Sequence, residues 1–528
     1  MSIEGVMVSY NYSEDGEHSN ILTVSASGIK FSNRWVLTHG SMLSPLKQAK
    51  FIKNSKGKPI LNDAFYDNLP EIYVTCEKEK ATVPNLYTRV EKLSQERSPN
   101  DVDLEHPSYQ TRVLTGRICH IWQCPILERC VEDILYSWTI GHRDGDVEKQ
   151  TQLGKLLLSV FVLVDLETSD VGFKTQRPLS ELLDLVRPPP ERGSTVEVHS
   201  TPFGCEVFLN AVSRGSVCGI VGKRPTLLLT DASTSLGSEG GPVFTHKDSN
   251  QLVGMVVCSV SWWRGEWVGL TLVAPLLSVL AAKLHVPLPA LTRQPLGDED
   301  SIDRSTVLVR CGGAWGAGLW LGGGAGPHYN TYKVSVFCGG AHETAIVRYK
   351  SSDDRAYDLA VLYTNAQQWG HLAKVDFADE VAEKGECVLA AGYPYFNENN
   401  LEDLKPTITT GHVNTVSPSL IQTSCCVQSG FSGGPIFRIR KNRVQALGII
   451  VSNAKTESGA SFPFVNMAVP ITAVGSLIKQ FIQDRGKRLL HKKELFTIYL
   501  QRLSLFTSAF LLFELSLSII FNEYIRFL

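Results

Sequence analysis

The stretch QSGFSGGPIF, residues 428–437, sets one serine among glycines in the pattern G-x-S-G-G-P. Gly430 and Gly433 let the backbone turn tightly around Ser432, because glycine enters positive φ without steric cost. In such a turn the N–H groups of Gly430 and Ser432 can point at one place and hold an oxyanion there. Pro435 then starts the outgoing strand. A serine so presented is a nucleophile only if a histidine takes its proton and a carboxylate orients that histidine.

The pattern occurs twice. GSEGGPVF (237–244) matches GFSGGPIF (430–437), and SASGIKF (25–31) matches WGAGLWL (315–321). After the first loop comes QLVGMVVCSV and after the second VQALGIIVSN, so the chain reads as a duplicated unit. Short Val/Ile/Leu/Phe runs bounded by Gly, Pro, Asn and Ser, such as AYDLAVLY and ECVLAAGYP, predict the strands of an all-β sandwich or barrel. The acidic, polar TRQPLGDEDSIDRST is expected to be an exposed linker. The expected division is 1–291, 292–306 (linker), 307–482 and a tail 483–528. Two loop-like segments, about 44–110 and RPPPERG (187–193), are expected as insertions between strands of the first half.

The chain has 528 residues, 43% of them apolar, enough for several buried cores. Fifty-one basic residues against fifty-three acidic ones give a net charge of −2, which leaves no electrostatic footprint for nucleic acid. The first residues carry neither a basic n-region nor a long apolar run, so no secretory signal is expected and the twelve cysteines are read as thiols of a reducing compartment. The cluster Cys119, His120, Cys124 and Cys130 and the pair Cys425, Cys426 lack the C-x-x-C spacing of structural zinc sites, and no metal is expected there.

Upstream of the serine loop, AYDLAVL places Asp358 at the start of an apolar strand, where a carboxylate could orient an imidazole. Together, Ser432 and Asp358 resemble the chymotrypsin-like serine proteases, whose chain order is His, Asp, Ser. DLAVL, GYP (392–394), SGFSGGPIF and FVNMAVPI resemble the Deg/HtrA-like branch more narrowly, and the duplication adds a likeness to the peroxisomal leader peptide-processing family within it. The resemblance runs over roughly 20–482 and implies a mainly β fold of two tandem chymotrypsin-like double β-barrel units, the first degenerate. It implies a serine endopeptidase without a cofactor, located in the peroxisome, acting on matrix proteins that carry targeting leaders and cutting next to cysteine. In this family the floor of the pocket for the residue before the cut lies six positions ahead of the serine, at Cys426; a small uncharged floor argues against Lys or Arg in that pocket. The strand ending IIVSN (449–453) is read either as a core strand or as an edge for peptide addition.

The histidine is the difficulty. Family members carry it after a buried strand in T-A-x-H or T-C-x-H, and the second half has no such motif. His328 is the best-placed base, ahead of Asp358 and ten residues after Gly318; in the first half His39 lies eleven after Gly28. However, His39 follows the β run RWVLT, whereas His328 follows GGGAGP, which specifies no strand. His342, His371 and His412 are poorer placed. The alternative reading is therefore a peptide-binding pseudoprotease. The first half fails in a complementary way: Glu239 stands at the serine position with Ser238 displaced by one, Ser159 stands where the second half has Asp358, and Asp165 is out of register. Service of His39 to Ser432 across the halves is disfavoured, since each barrel pair builds its own cleft.

The family's C-terminal S-K-L import signal is not found at the end EYIRFL. Instead, the basic run RGKRLLHKK (485–493) precedes LSLFTSAFLLFELSLSIIF (503–521), long enough for a membrane anchor but interrupted by Glu514. The segment is read as an anchor or as an alternative terminus; homo-oligomerisation stays open.

Overall fold

The computed structural model describes residues 3–13, 21–46, 51–53, 59–61, 69–77, 111–135, 147–166, 176–222, 225–246, 251–263, 266–288, 297–321, 333–338, 340–350, 359–364, 369–394, 404–441, 443–455, 461–475 and 478. The chain divides into two compact units: Met1–Gly215, Ile220–Val260 and Leu270–Ala290 form the first, and Leu291–Leu528 form the second together with Ser216–Gly219 and Ser261–Gly269.

The first unit opens with β1 (Ile3–Ser13), β2 (Ile21–Phe31) and β3 (Trp35–His39). A small ladder, β4 (Phe51–Lys53) with β5 (Pro59–Leu61), precedes β6 (Ile72–Glu77), β7 (Thr111–Gln123) and β8 (Val160–Asp165). Six of these close a barrel in the order β1-β2-β3-β8-β7-β6. Val6, Val8 and Tyr10 on β1 alternate into its interior and meet Val36, Val74, Val162 and Val164, as the period of two in a strand requires. A second barrel follows from β9 (Thr195–Ser200), β10 (Ala211–Val221), β11 (Leu227–Thr230), β12 (Pro242–Thr245), β13 (Leu252–Trp263) and β14 (Glu266–Pro275), closed in the order β10-β11-β14-β13-β12-β9. The segment 44–110, expected as an insertion, thus contains a barrel strand. IYVTCE is short and flanked by polar runs, but Ile72, Val74 and Cys76 are fully buried and pair it into the wall.

In the second unit, β15 (Thr306–Cys311), β16 (Ala314–Leu319), β17 (Lys333–Cys338), β18 (Ala341–Lys350) and β19 (Ala360–Tyr363) form a sheet in the order β16-β15-β17-β18-β19. This repeats the order β2-β1-β6-β7-β8 of the first barrel, with the register kept: Val6 faces Gly28 and Val307 faces Gly318. The place of β3 along the chain, after β16, falls in 322–332, outside the described residues. The strands β20 (Asp376–Phe377), β21 (Cys387–Gly392), β22 (Thr407–Val416), β23 (Ile421–Thr423), β24 (Pro435–Arg440), β25 (Arg443–Lys455) and β26 (Ser461–Pro470) follow. Pairing of β25 with β26 closes the last six into a barrel ordered β22-β23-β26-β25-β24-β21, the order of β10-β11-β14-β13-β12-β9, and β20 adds to β25. The molecule is a mainly β protein in which a chymotrypsin-like arrangement is laid down twice.

Within 292–306, read as an exposed linker, Gly297–Asp303 is helical. Its one isoleucine supplies the reason: Ile302 is buried against Leu319, Leu359 and Phe377, and apolar burial outweighs the polarity of its neighbours. RPPPERG is irregular between the helix Gln176–Leu185 and β9. Among the described residues no helix is long and apolar enough to cross a membrane; 503–521 lies outside them.

Candidate active site

In the second unit the loop between β23 and β24 carries Ser432, half-buried on a turn. Gly430 (φ 101°) and Gly433 (φ 81°) hold positive φ on either side, and a Cβ at Gly430 would run into the carbonyl oxygen of Tyr393. Backbone hydrogen bonds lock the turn: Phe431 N–H donates to Gln428 O (3.0 Å), Gly434 N–H to Phe431 O (2.8 Å) and Gly433 N–H to Ile450 O (2.8 Å). Ile450 N–H returns a bond to Gly434 O (2.8 Å), and Ala317 N–H on β16 donates to Ser432 O (2.9 Å). The serine carbonyl is thereby anchored, whereas the N–H groups of Gly430 and Ser432, and Ser432 Oγ, find no acceptor or donor among the described residues. Two unengaged N–H groups beside an unengaged hydroxyl are what an acyl-transfer site needs before substrate arrives.

Tyr393, in the GYP motif after β21, ties this loop to the preceding sheet. Its N–H donates to Gly430 O (3.0 Å), its hydroxyl to Thr306 O (2.9 Å), and its carbonyl accepts from Trp315 Nε1 (2.9 Å). Cys426 is fully buried, with the Gln428 amide donating to its Sγ at 3.4 Å. The segment around it is held by asparagines: Asn466 Nδ2 donates to Cys425 O (2.7 Å), Asn453 Nδ2 to Val427 O (2.7 Å), and Thr423 Oγ1 to Asn466 Oδ1 (2.6 Å). Reading the sequence missed these asparagines and Trp315, whose roles come from orientation rather than motif.

Asp358 and His328 both lie outside the described residues. His342 is exposed and stacked on Phe337, His371 is exposed beside Trp369, and His412 is exposed on β22. No hydrogen bond joins any of these three to Ser432 among the described residues.

The loop of the first unit repeats five bonds of this frame. Ser238 N–H donates to Ser235 O (3.0 Å), Gly241 N–H to Ser238 O (3.0 Å), Gly240 N–H to Val256 O (2.8 Å), Val256 N–H to Gly241 O (2.9 Å) and Ser27 N–H to Glu239 O (2.9 Å). Gly237 and Gly240 take the positive φ of Gly430 and Gly433. The chemistry differs. Ser238 is fully buried, its Oγ accepting from Ser200 Oγ (3.1 Å), so it is a structural serine. His39 is also fully buried: Nδ1 accepts from Ser41 N–H (3.2 Å) and Nε2 faces Leu158 O (3.3 Å), which makes Nε2 the protonated nitrogen. Burial lowers its pKa to about 4 against the bond to Leu158, and with both nitrogens engaged it has no lone pair left for a serine. Ser159 donates to Leu156 O (2.9 Å), and Asp165 forms a bidentate pair with Arg34 at 2.7 Å for each contact. In the cysteine cluster, Cys124 and Cys130 are buried, Cys119 Sγ faces Leu163 O (3.3 Å) and His120 stacks on Trp122. Among the described residues no group of three metal-ligating side chains is assembled.

Residues 323–447 match the family of the trypsin-like peptidase domain. The peroxisomal leader peptide-processing protease of Homo sapiens is 29% identical over 397 residues, 66% of this chain and 66% of that protein. Its counterpart from Mus musculus is 31% identical over 332 residues, 55% of this chain and 56% of that protein. The chain thus spans a little under two thirds of the length of the one and just over half of the other. Among solved structures, the serine endoprotease from Yersinia pestis is 21% identical over 36% of this chain and 69% of its own, at a TM-score of 0.27. The chain is thus similar to the peroxisomal leader peptide-processing proteases, and the residues that match the trypsin-like peptidase domain lie in its second unit.

Proposed function

We propose that the chain is a serine endopeptidase whose active centre is the second unit's loop. The observation that carries this reading is the pair of unengaged N–H groups, on Gly430 and Ser432, beside the unengaged Ser432 Oγ. In the proposed reaction Oγ attacks the scissile carbonyl while its proton passes to a histidine. The Gly430 and Ser432 N–H groups take the charge that develops on the carbonyl oxygen. The same histidine then protonates the departing amine, and water repeats the sequence to free the acyl group. His328 is assigned as this base, Asp358 as the carboxylate that orients it and Cys426 as the floor of the pocket for the residue before the cut. The names of the relatives support a peroxisomal location and protein substrates that carry leader peptides; a cut next to cysteine rests on the family resemblance and on the small, uncharged Cys426.

The test is labelling of the full chain with a fluorophosphonate probe, beside Ser432→Ala, His328→Ala and Asp358→Ala. Labelling that each substitution abolishes or strongly weakens supports the assignment. If the folded wild-type chain takes no label, the serine lacks its base and the chain is a peptide-binding scaffold. Cleavage of a leader-bearing peptide with and without its cysteine tests the substrate class.

A further inference from the structure

The proposed reaction leaves the first unit's copy of the loop unused, although its backbone repeats five hydrogen bonds of the second unit's loop. An oxyanion-holding turn with an empty donor pair would bind a peptide carbonyl or a small carboxylate. In the first unit the pair is not empty. The Gly237 N–H, which corresponds to that of Gly430, donates to Glu239 Oε2 at 2.8 Å. The N–H of Glu239 itself, which corresponds to that of Ser432, favours the charged form of the same carboxyl. The side chain standing at the serine position has therefore folded back into the place where the substrate's oxygen would sit.

We propose that Glu239 is a built-in ligand of the first unit's oxyanion-type donors, an intramolecular plug that closes this cleft to peptide carbonyls and carboxylates. The first unit then presents no substrate through this loop, and its donor pair becomes a small-carboxylate site only when the Glu239 side chain is removed. Two features fit this assignment. The rest of the frame is intact, so the donors are aimed whether or not the plug is present. Phe203 N–H donates to Leu236 O (2.6 Å), which holds the peptide that carries the Gly237 N–H independently of Glu239, and Ser27 holds the next peptide from behind, its Oγ donating to Gly237 O (2.7 Å) and accepting from Thr201 N–H (2.8 Å). In the second unit Tyr393 N–H reaches Gly430 O directly, and Ala317 stands where Ser27 does.

The inference concerns the first unit alone and stands or falls apart from the assignment of Ser432. It is tested on the full chain by hydrogen exchange of peptides covering 235–241, in sodium acetate and in sodium chloride at matched ionic strength, for wild type, Glu239→Ala and Glu239→Gln. In chloride, Glu239→Ala is expected to exchange about tenfold faster than wild type at the freed amides. Acetate restores protection in that variant and changes neither wild type nor Glu239→Gln, whose amide oxygen still fills the place. Equal exchange of Glu239→Ala in acetate and chloride would overturn the proposal, as would an acetate response of wild type. If Glu239→Ala fails to fold, Glu239→Gln decides alone: it must keep wild-type protection at these amides, and loss of that protection sinks the idea.

Discussion

His39 ends β3 with Nε2–H turned to the Leu158 carbonyl, and burial holds its pKa at about 4, below the ordinary 6.5. The unfolded chain therefore binds a proton at this residue between about pH 6.5 and 4, and the folded chain does not. Stability from this group is present above pH 6.5 and is lost as pH falls through about 4, a loss on the order of 3 kcal/mol. Replacing His39 by Asn should flatten the acid side of the unfolding profile in that window, as measured by denaturant midpoints at stepped pH. Glu239 acts with the opposite sign. Burial raises its carboxyl above the ordinary value, while its own N–H and that of Gly237 pull it back. Its contribution is largest when protonated and is lost as pH rises through the raised value. Glu239→Gln should therefore gain on wild type in denaturant midpoint as pH rises from about 4 toward neutrality; a constant difference across that range would contradict the assignment. That Glu239 replaces a serine is legible in GSEGGPVF, but that its carboxylate turns back onto Gly237 is not, because a motif gives residue types and not side-chain direction.

At the scale of elements, the serine loop depends on its close approach to Tyr393. A Cβ at Gly430 would meet the Tyr393 carbonyl and would sit at positive φ, two faults that an alanine cannot relieve together. Gly430→Ala is expected to cost about 2 kcal/mol or more and to abolish probe labelling of Ser432. Tyr393→Phe removes the hydroxyl bond to Thr306 O, about 1 kcal/mol, and leaves the backbone bond to Gly430 O in place. It should lower the unfolding midpoint while labelling persists; loss of labelling would show that the hydroxyl, and not the main chain, sets the loop. Most strands were readable because alternating apolar runs bounded by glycine and proline are a local signal. The barrel strand Ile72–Glu77 and the helix Gly297–Asp303 were not. Each is short and flanked by polar sequence, and each is held by a few buried side chains whose partners lie far along the chain.

For the whole molecule, duplication accounts for both what is repeated and what is divided. Strand order, register and five hydrogen bonds of the two loops match, so the two halves follow one plan. The chemistry has diverged within that plan. The first unit keeps a histidine in a well-specified strand but engages both its nitrogens locally, and turns the Glu239 carboxylate onto the Gly237 N–H. The second keeps the serine and the unengaged donors. If each unit is chemically self-contained, His39→Asn and Glu239→Gln should leave the rate of Ser432 labelling within about twofold of wild type, because neither removes a group that faces the serine's proton. A loss of labelling in His39→Asn as deep as in Ser432→Ala, with the chain still folded, would mean that the first unit lends its imidazole to the second unit's serine. The same loss in His328→Ala, with His39→Asn unaffected, would put the base in the second unit, where chain order before Asp358 and spacing from Gly318 point despite the glycine-rich approach.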